Sequence, residues 1–523
     1  CISSAASDVY KRQKKGCADR LRKFLSKNKG AAGADFLAGV LEYGVKIKNF
    51  VPDEWIHELT DSIIGDNYPV PPRSLVHLEQ VVHDYLIKEM CDGRPPKGKF
   101  DLFPVEGGTA AMCYIFDSLM QNGLLKQGDT IALFLPTFTP YIEIAHLERF
   151  QFKIVAINAS SVRADGTHDW HYPATEIAKL ENPKIKLAVT VNPSNPPSVA
   201  FSPVEMKQIV GLIRKNPDLV LVTDDVYGTF VPNFRSLMAE VPHNTICVYS
   251  FSKNFGCTGW RLGVIATHEK NTMDRRIAEL PASWKQRLNK RYGAMTMEPE
   301  KLKFIDRMVA DSRNVALNHT AGLSLPQQVQ MGFFALSHLL DLKDAYKHLT
   351  MQIVRARRDA LWRGLGAPLP PEDPMRGWYY VELDFMVWAK NTYGDAFCKY
   401  MTTNYEPVDF LFRLAEKSGV VLMDGGGFGG PPWSIRISLA NLDDGDYSKI
   451  GKHMVEAATE YVEAWKAGQL VRSGPTAGKG QTVKASAAKR KAGDKGAAKK
   501  AVKKAVKQAA KAERSAKKAT AGK

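Results

Sequence analysis

The chain has 523 residues, of which 44% are hydrophobic, and this is enough for two domains with large buried cores. No apolar run is long enough to cross a bilayer, and the first residues lack the basic start and apolar core of a signal peptide, so we expect a cytoplasmic protein without membrane contact. Seven scattered cysteines without a CxxC pair argue against a disulfide framework and against zinc. We therefore expect reduced thiols and no metal site.

The net charge of +17 is concentrated at one end of the chain. Residues 473–523 contain 16 of the 72 Lys and Arg residues and 2 of the 55 Asp and Glu residues, a net charge of +14, which leaves +3 for the rest. Ala, Lys and Gly dominate this tail, so it cannot bury enough apolar surface to fold by itself. The tail is similar to those of linker-histone-like proteins, which implies non-specific contact with nucleic acid phosphates. A solvating tail or a fusion is the alternative.

Apolar residues at helical spacing predict short amphipathic helices within residues 8–59. From about residue 68, amphipathic helical patterns alternate with apolar runs that we interpret as strands. The predicted strands are 130–134, 154–157, 187–191, 219–222, 246–249 and 262–266. Alternating strands and helices predict a mainly parallel sheet covered by helices. Residues 270–312 are charged and lack a strand signal, so we expect helices outside the sheet.

The C-terminal part of the globular chain has a different pattern. Residues 341–467 combine long helical patterns with short strands at 379–383 and 434–439, which is typical of a smaller α+β domain. The resulting domain prediction is an N-terminal helical segment at 1–67, a large domain at 68–340, a small domain at 341–470 and a disordered basic tail at 471–523.

The strongest motif is Ser250-Phe-Ser-Lys253-Asn-Phe-Gly-Cys-Thr-Gly-Trp-Arg261, directly after a predicted strand. A strand end can place a lysine in a cleft, while two hydroxyls and an arginine converge on one anion. Pyridoxal phosphate (PLP) needs this combination, because an amine forms an imine with its aldehyde and a cation with donors holds its phosphate. We predict that Lys253 carries PLP and that Ser250, Ser252 and Arg261 bind it. A lone lysine in such a turn would more often be a surface residue.

A second motif, Asp224-Asp225-Val-Tyr227, also follows a predicted strand. PLP accepts electrons well only while its ring nitrogen is protonated, and a buried carboxylate beside that nitrogen favours the protonated form. We assign this role to Asp224 and expect Tyr227 to donate to the phenolic oxygen of PLP. Lys253, Asp224 and Tyr227 are thus the predicted catalytic residues. Asp225 could be no more than a helix cap.

A glycine-rich segment, Glu106-Gly107-Gly108-Thr109, is expected to open a helix. Glycines let the backbone approach a phosphate closely, and a helix N-terminus presents free N–H groups with a partial positive charge. Gly107, Gly108 and Thr109 are therefore predicted to bind the phosphate of PLP. Taken alone, such a segment is more often an ordinary turn.

Two further residues are predicted to contact the cofactor. Phe138, in Pro136-Thr-Phe-Thr-Pro-Tyr, could stack on the pyridine ring. Asn195, in Asn192-Pro-Ser-Asn-Pro-Pro, could bond the same phenolic oxygen as Tyr227, and we count it among the substrate-binding residues as well. The alternatives are core packing for Phe138 and a proline turn for Asn195.

The order of these motifs along the chain resembles that of the fold type I PLP-dependent enzymes, the aspartate-aminotransferase superfamily, from about residue 68 to residue 439. The resemblance implies an α/β fold, with a three-layer αβα large domain that binds PLP on a mainly parallel sheet and a smaller α+β C-terminal domain. It implies that Arg436, in Trp433-Ser-Ile-Arg, binds the α-carboxylate of the substrate. It also implies that Tyr68 reaches the PLP phosphate of a neighbouring subunit, so that a homodimer is the minimal active unit.

Within this superfamily the sequence is similar to the bacterial L-aspartate 4-decarboxylase family, on Asn192-Pro-Ser-Asn-Pro-Pro-Ser-Val, on the segment after Ser250, on the insertion at 270–312 and on residues 317–328. The similarity implies conversion of L-aspartate to L-alanine and carbon dioxide, with aminotransferase activity on L-aspartate and 2-oxo acids, in larger homo-oligomers. Members of that family begin well upstream with a segment that covers the substrate, and we expect this sequence to be a fragment from which that segment is missing.

Composition and spacing do not decide between decarboxylation and transamination, since the two reactions differ in how water is excluded and how the distal carboxylate is held. Two other functions therefore stay open. One is that of a plain α-amino-acid aminotransferase. The other is that of a nucleic-acid-binding protein with a vestigial enzyme domain, against which the presence of Lys253, Asp224, Tyr227, Arg261 and Arg436 argues.

Overall fold

A central sheet organises the computed structural model, which describes residues 19–20, 22–43, 52–64, 73–315 and 322–471. Its strands are β1 Phe100–Val105, β2 Thr130–Leu135, β3 Lys153–Asn158, β4 Ile185–Val191, β5 Val220–Asp224, β6 Thr245–Ser250 and β7 Gly263–His268. They lie in the order β1-β7-β6-β5-β4-β2-β3, and only β7 runs antiparallel to its neighbours. The predicted, mainly parallel sheet is confirmed.

Helices connect and cover these strands. Among the described residues they are α1 Ala32–Tyr43, α2 Pro52–Ile64, α3 Val76–Met90, α4 Gly108–Gln121, α5 Thr139–Ala145, α6 Ala174–Ile177, α7 Pro203–Lys215, α8 Leu237–Glu240, α9 Phe251–Asn254, α10 Thr272–Ala278, α11 Ala282–Tyr292, α12 Phe304–Val315, α13 Leu325–Leu340, α14 Ala345–Leu365, α15 Phe385–Tyr393, α16 Asp395–Asn404, α17 Pro407–Ser418 and α18 Asp444–Lys466. In the part of the chain that the structure describes, none is long and apolar enough to span a membrane.

Two adjacent residues of β6 show that helices cover both faces of the sheet. Successive side chains of a strand point to opposite faces. The Tyr249 hydroxyl lies 2.6 Å from that of Tyr85 on α3, whereas Val248 faces the start of α4, where a Cβ on Gly108 would be 3.8 Å from the Val248 Cγ1 atom. The sheet is thus the middle layer of an αβα arrangement, and β5, β6 and β7 are buried along their whole length.

A second, smaller sheet lies in the C-terminal part of the chain. Its strands are β8 Tyr380–Asp384, β9 Met423–Asp424 and β10 Ser434–Ser438, in the antiparallel order β8-β10-β9. The sequence predicts β8 and β10 within one residue at each end and misses the two-residue β9. The described residues up to Val462 belong to one compact unit, and a second unit begins at Glu463.

The strands and helices predicted from the sequence form with small shifts at their ends, and helices α10 to α12 occupy the charged stretch at 270–312. Strand β1 is absent from the sequence prediction. It contains Pro104 and lies at an edge of the sheet, where a residue without an N–H group is tolerated. Part of the range predicted to form amphipathic helices, residues 8–59, lies outside the described residues, as do Tyr68 and the tail at 472–523.

Candidate active site

The carboxyl ends of β4, β5 and β6 meet at a cavity of about 200 Å³. Open parallel sheets bind ligands at this edge. Of the residues predicted from the sequence, those that line the cavity are Gly108, Thr109, Phe138, Asn195, Asp224, Tyr227, Ser250, Ser252, Lys253 and Arg261. Gly107 and Arg436 lie next to lining residues, as described below. Residues that are distant in sequence therefore converge on one volume.

Asp224 ends β5 with its side chain buried. Its Oδ2 atom accepts a hydrogen bond from the Tyr141 hydroxyl at 3.0 Å, and its Oδ1 atom accepts one from the Val226 N–H group at 3.3 Å. Burial raises the pKa of Asp224 to about 6, although these two donors and the charge of Lys253 act in the opposite direction. The carboxylate is therefore poorly solvated, which favours a cation beside it.

Asp225 points away from this cavity into a different polar cluster. Its carboxyl accepts hydrogen bonds from the Ser236 and Thr223 hydroxyls and from the Cys247 thiol. Burial raises the pKa of Asp225 to about 7. The helix-cap alternative is wrong for this residue, because the carboxyl bonds three buried side chains.

The N-terminus of α4 opens into the cavity. Gly107 precedes the 14-residue helix with a φ of +86° and supplies no side-chain cap, so within the described part of the chain the first N–H groups of α4 have no side-chain capping acceptor. Gly108 and Thr109 begin the helix and line the cavity. Free N–H groups and the helix dipole together favour an anion at this position.

Arg261 lies against this helix start and requires small neighbours. Its Nη2 atom donates to the Glu106 carbonyl at 3.2 Å, and a Cβ on Gly107 would be 2.6 Å from the same atom. A Cβ on Gly263 would in turn be 2.7 Å from the Gly107 Cα atom. Arg261 itself adopts the left-handed conformation, with a φ of +57°, which costs a non-glycine residue about 1–2 kcal/mol. The close packing of two glycines and a strained arginine holds a cation beside the free helix start.

Ser250 ends β6, and Ser252 and Lys253 follow it on the short turn α9. The Ser250 hydroxyl donates to the Leu262 carbonyl at 3.1 Å and lies 3.0 Å from the Ser252 hydroxyl. The Nζ atom of Lys253 is 5.9 Å from the centre of the Tyr379 ring. The motif read from the sequence therefore places two hydroxyls and an amine on the same wall of the cavity.

Tyr227 and Asn195 meet at the floor of the cavity. The Asn195 Nδ2 atom donates to the Tyr227 hydroxyl at 3.4 Å. Burial and the adjacent Tyr380 raise the pKa of Tyr227 well above its usual value, so the hydroxyl keeps its proton at neutral pH. Asn195 is buried in a turn that lines the cavity, and Phe138 lines the same cavity and is half-buried.

Arg436 on β10 reaches toward Asn195, with 3.5 Å between its Nη1 atom and the Asn195 Oδ1 atom. Its guanidinium lies between the rings of Tyr380 and Phe428, 4.5 Å from each centre. No carboxylate of the described residues forms an ion pair with it. Arg436 is thus a stacked, half-buried cation next to a residue of the cavity wall.

Sequence reasoning missed three residues of this site. Tyr141 lies in the segment that carries Phe138. A buried Asp224 needs a hydrogen-bond donor, and this requirement could have identified Tyr141. Thr258 lies between Lys253 and Arg261 and lines the cavity. Tyr380, which lines the cavity and stacks on Arg436, comes from β8 and has no local signal in the sequence. Tyr68 lies outside the described residues.

The groups around this cavity fit PLP. The helix start, two serines and Arg261 can hold a phosphate, because they combine N–H donors, hydroxyls and a cation. Asp224 offers a buried carboxylate to a protonated ring nitrogen, and Lys253 offers an amine to an aldehyde. Gly107 and Gly108 keep the backbone open for a close approach, since a side chain on Gly107 would collide with Arg261.

Solved structures of aminotransferases have the same fold. An aspartate aminotransferase from Rhodobacter sphaeroides aligns with a TM-score of 0.55 and 16% identity, over 80% of this chain and 90% of that one. An aromatic aminotransferase from Pyrococcus horikoshii aligns with a TM-score of 0.54 and 18% identity, over 80% of this chain and 94% of that one. At these identities the comparison establishes the fold alone, which is that of the fold type I enzymes.

Sequence comparison identifies the family. The model of the family described as aminotransferase class I and II matches residues 105–453. A protein of Pseudomonas sp., named bifunctional aspartate aminotransferase and L-aspartate beta-decarboxylase, is 46% identical over 453 residues, which cover 86% of this chain and 84% of that protein. The chain therefore belongs to the class I and II aminotransferases and is a PLP-dependent enzyme.

Proposed function

We propose that this enzyme removes the C4 carboxylate of L-aspartate to give L-alanine and carbon dioxide, and that it also transaminates L-aspartate with 2-oxo acids. The observation that carries the proposal is the 46% identity, along most of both chains, to a protein named for both activities. The site supports it, because the cavity combines the groups that PLP chemistry on an amino acid requires.

Arg436 is proposed to bind the α-carboxylate of the substrate. Its guanidinium lies between two aromatic rings and donates to the Met423 sulfur at 2.8 Å through Nη2. It has no carboxylate partner among the described residues, so it still lacks the anion that a planar guanidinium binds in a bidentate contact. The Asn195 Oδ1 atom, 3.5 Å from the guanidinium, holds its orientation. A lysine in this position could not form the same planar pair of bonds.

Lys253 is proposed to move the proton at Cα. Its amine first holds the cofactor and is then free to act as general base when the amino group of the substrate takes its place. When bound, PLP takes up the electron pair released at the substrate carbon. Asp224 keeps the proton on the ring nitrogen, and Tyr141, at 3.0 Å from its Oδ2 atom, fixes the orientation of that carboxylate.

Tyr227 and Asn195 are proposed to bind the phenolic oxygen of the cofactor. The raised pKa of Tyr227 keeps its hydroxyl protonated, so it can donate to that oxygen. Donation stabilises negative charge on the oxygen and thereby lowers the pKa of the neighbouring nitrogen at which Lys253 is attached. The helix start with Gly107, Gly108 and Thr109, together with Ser250, Ser252 and Arg261, is proposed to hold the phosphate, and Phe138 to stack on the ring.

The test measures carbon dioxide and alanine released from L-aspartate by the PLP-loaded protein in the absence of a 2-oxo acid. We expect many turnovers per chain, no turnover in Lys253→Ala, and full activity in the control Lys207→Ala, which replaces an exposed lysine of α7. A plain aminotransferase would release neither product without a 2-oxo acid and would form oxaloacetate when one is added. That result would contradict the decarboxylase proposal and leave the family assignment intact.

Other properties implied by the resemblance are part of the same proposal. They are a homodimer completed by Tyr68, assembly into larger homo-oligomers, a cytoplasmic location and two domains that divide near residue 340.

The basic tail is proposed to contact nucleic acid non-specifically. A DNA mobility shift that weakens with salt and disappears when residues 473–523 are deleted would support the last point, and a shift that is unchanged by the deletion would contradict it.

A further inference from the structure

A second cavity, of about 390 Å³, lies away from the candidate active site, and the two cavities share no lining residue. They lie toward opposite ends of strand β8, because Tyr380 at its start lines the first and Asp384 at its end lines the second. Three tryptophans with little exposed surface, Trp170, Trp362 and Trp388, form much of the apolar wall of the second cavity. A volume of this kind suits an apolar organic molecule.

Arg376 is the unusual residue of the second cavity. It lines the cavity, and only 3% of its surface is exposed. The described residues provide neither a hydrogen bond nor an ion pair to its guanidinium, and its buried Nε atom has no acceptor. Burial is the main effect on its pKa, which falls to about 10, so the side chain is still charged at neutral pH. A buried cation without a partner is costly, and such groups are normally paired.

A neighbouring arginine shows what a paired counterpart looks like. Arg358 and Arg376 both stack on the indole of Trp378, at 4.7 Å and 4.0 Å from the ring centre. Arg358 is also buried, but it forms ion pairs with Asp359 and Glu372, each at 2.8 Å. The structure therefore satisfies one of the two guanidiniums with carboxylates of the chain and leaves the other facing the cavity without one.

The acidic groups near Arg376 do not pair with its guanidinium. The two nearest carboxylates are engaged elsewhere, since Asp384 pairs with His168 at 2.7 Å and Asp373 pairs with His171 at 3.2 Å. Burial raises the pKa of Glu382 in the same cavity to about 8, so this carboxyl is mainly neutral at pH 7. Arg163 also lines the cavity and donates to the His168 carbonyl at 3.0 Å, and the pKa of Asp165 in the same lining is lowered by hydrogen bonds from Thr167 and by the charge of Arg163. Arg376 is therefore the lining guanidinium that has neither a hydrogen bond nor an ion pair among the described residues, and one carboxylate would supply both.

We propose that the second cavity is a binding site for a small monocarboxylate with an apolar, planar body, whose carboxylate pairs with Arg376 and whose body packs on the tryptophan wall. The carboxylate supplies the acceptors that the guanidinium lacks, and the planar body fills a space bounded by indole rings. The site is separate from the substrate site at Arg436.

The experiment measures binding of 3-phenylpropionate to the PLP-loaded enzyme by calorimetry. The Arg436→Ala variant serves as the background, because it removes the carboxylate-binding group of the active site. We expect one saturable site per chain in this background. Adding Arg376→Met should weaken the affinity by about tenfold or more, which is the scale of a charge-assisted hydrogen bond. Adding Arg363→Met, which replaces an exposed arginine of α14, should leave the affinity unchanged.

A second measurement uses no further substitution in the cavity. The neutral 3-phenylpropanamide has the same shape without the charge, so we expect it to bind the Arg436→Ala enzyme about tenfold more weakly than the acid. Equal affinity for acid and amide would overturn the proposal, as would equal affinity in the Arg376→Met variant. Loss of all saturable binding in Arg436→Ala would mean that the acid occupies only the active site, and this too would overturn it.

Discussion

The two cavities treat their charged groups in opposite ways. In the active-site cavity the buried carboxylate of Asp224 has two donors from the chain, and Arg261 donates to backbone carbonyls. In the second cavity Arg376 has no such partner among the described residues, and Glu382 has an oxygen atom without a donor. Both cavities are lined by aromatic rings, so the difference lies in how their polar groups are satisfied.

This difference distinguishes groups that the chain itself holds in one orientation from groups whose hydrogen-bond partner is a ligand. Groups that must act on a cofactor in one orientation are held by the chain before it binds, as Tyr141 holds Asp224. A group whose partner is a ligand can only be satisfied when that ligand is present. The comparison predicts that substitutions in the first cavity mainly change activity, whereas those in the second mainly change stability and ligand binding.

The largest expected effect is a loss of kcat on substitution of Asp224 in the active-site cavity. Asp224→Asn keeps the shape but removes the charge beside the ring nitrogen, so we expect kcat to fall by about 10²–10³-fold with little change in melting temperature. The measurement is steady-state kinetics with a thermal melt of the same sample. The matched control is Asp225→Asn, which should leave kcat of the folded enzyme nearly unchanged, because this carboxyl points away from the cavity and bonds Ser236 and Thr223. The reverse pattern would show that the two adjacent acids were assigned the wrong way round.

The next prediction concerns the pH dependence of stability that Glu382, the buried acid of the second cavity, gives to the protein. Burial raises the pKa of Glu382 from an ordinary 4.5 to about 8, with Asp384 and Asp424 acting in the same direction and Ser434 and Arg376 against it. Between these values the folded protein binds more protons than the unfolded chain, so this residue lowers the free energy of unfolding as pH rises through the window.

Glu382→Gln removes this decrease in the free energy of unfolding, because glutamine does not titrate. From about pH 5 to about pH 9, the variant should gain stability relative to the unmodified protein by about 4 kcal/mol. Denaturant unfolding at several pH values measures the difference. A difference that does not vary with pH would mean that Glu382 has an ordinary pKa in the folded protein.

A smaller effect is expected on the affinity for PLP when the packing of Gly107 against Arg261 is disturbed. Gly107→Ala places a Cβ 2.6 Å from the Arg261 Nη2 atom, so the guanidinium must move. We expect the dissociation constant for PLP to rise by about tenfold, the scale of one charge-assisted hydrogen bond. Gly256→Ala is the matched control, since Gly256 also has a positive φ, +61°, and nothing lies within 4 Å of its Cβ position. Equal losses in both variants would indicate a general effect of alanine on the loop rather than displacement of Arg261.

The smallest expected effect compares the two arginines that share Trp378. Arg376→Met removes an unpaired buried charge and keeps the apolar volume, so the free energy of unfolding should change by less than about 1 kcal/mol or increase. Arg358→Met breaks two ion pairs and should cost about 1–3 kcal/mol. Chemical unfolding of the two variants tests this directly, and a larger loss in Arg376→Met would indicate an internal partner for that guanidinium.

The sequence predicted the parts of this protein that depend on neighbours along the chain. Strands that end in a polar motif, such as β5 at Asp224 and β6 at Ser250, are local patterns, and the parallel sheet brings such ends to one edge. The order of the motifs led to the family, which the family model and the Pseudomonas protein confirm. The domain division and the individual roles of the site residues stay predictions.

What the sequence by itself determined is therefore the fold class, the family and most of the cofactor cavity, because periodicity and strand-end motifs are encoded locally. Only the tertiary structure decided which residues from distant segments complete each site. Tyr141 reaches Asp224 across 83 positions, and Tyr380 joins the cavity from a separate sheet. The unpaired state of Arg376 is likewise invisible in sequence, because a missing partner is a property of everything packed around a side chain and not of the residues beside it.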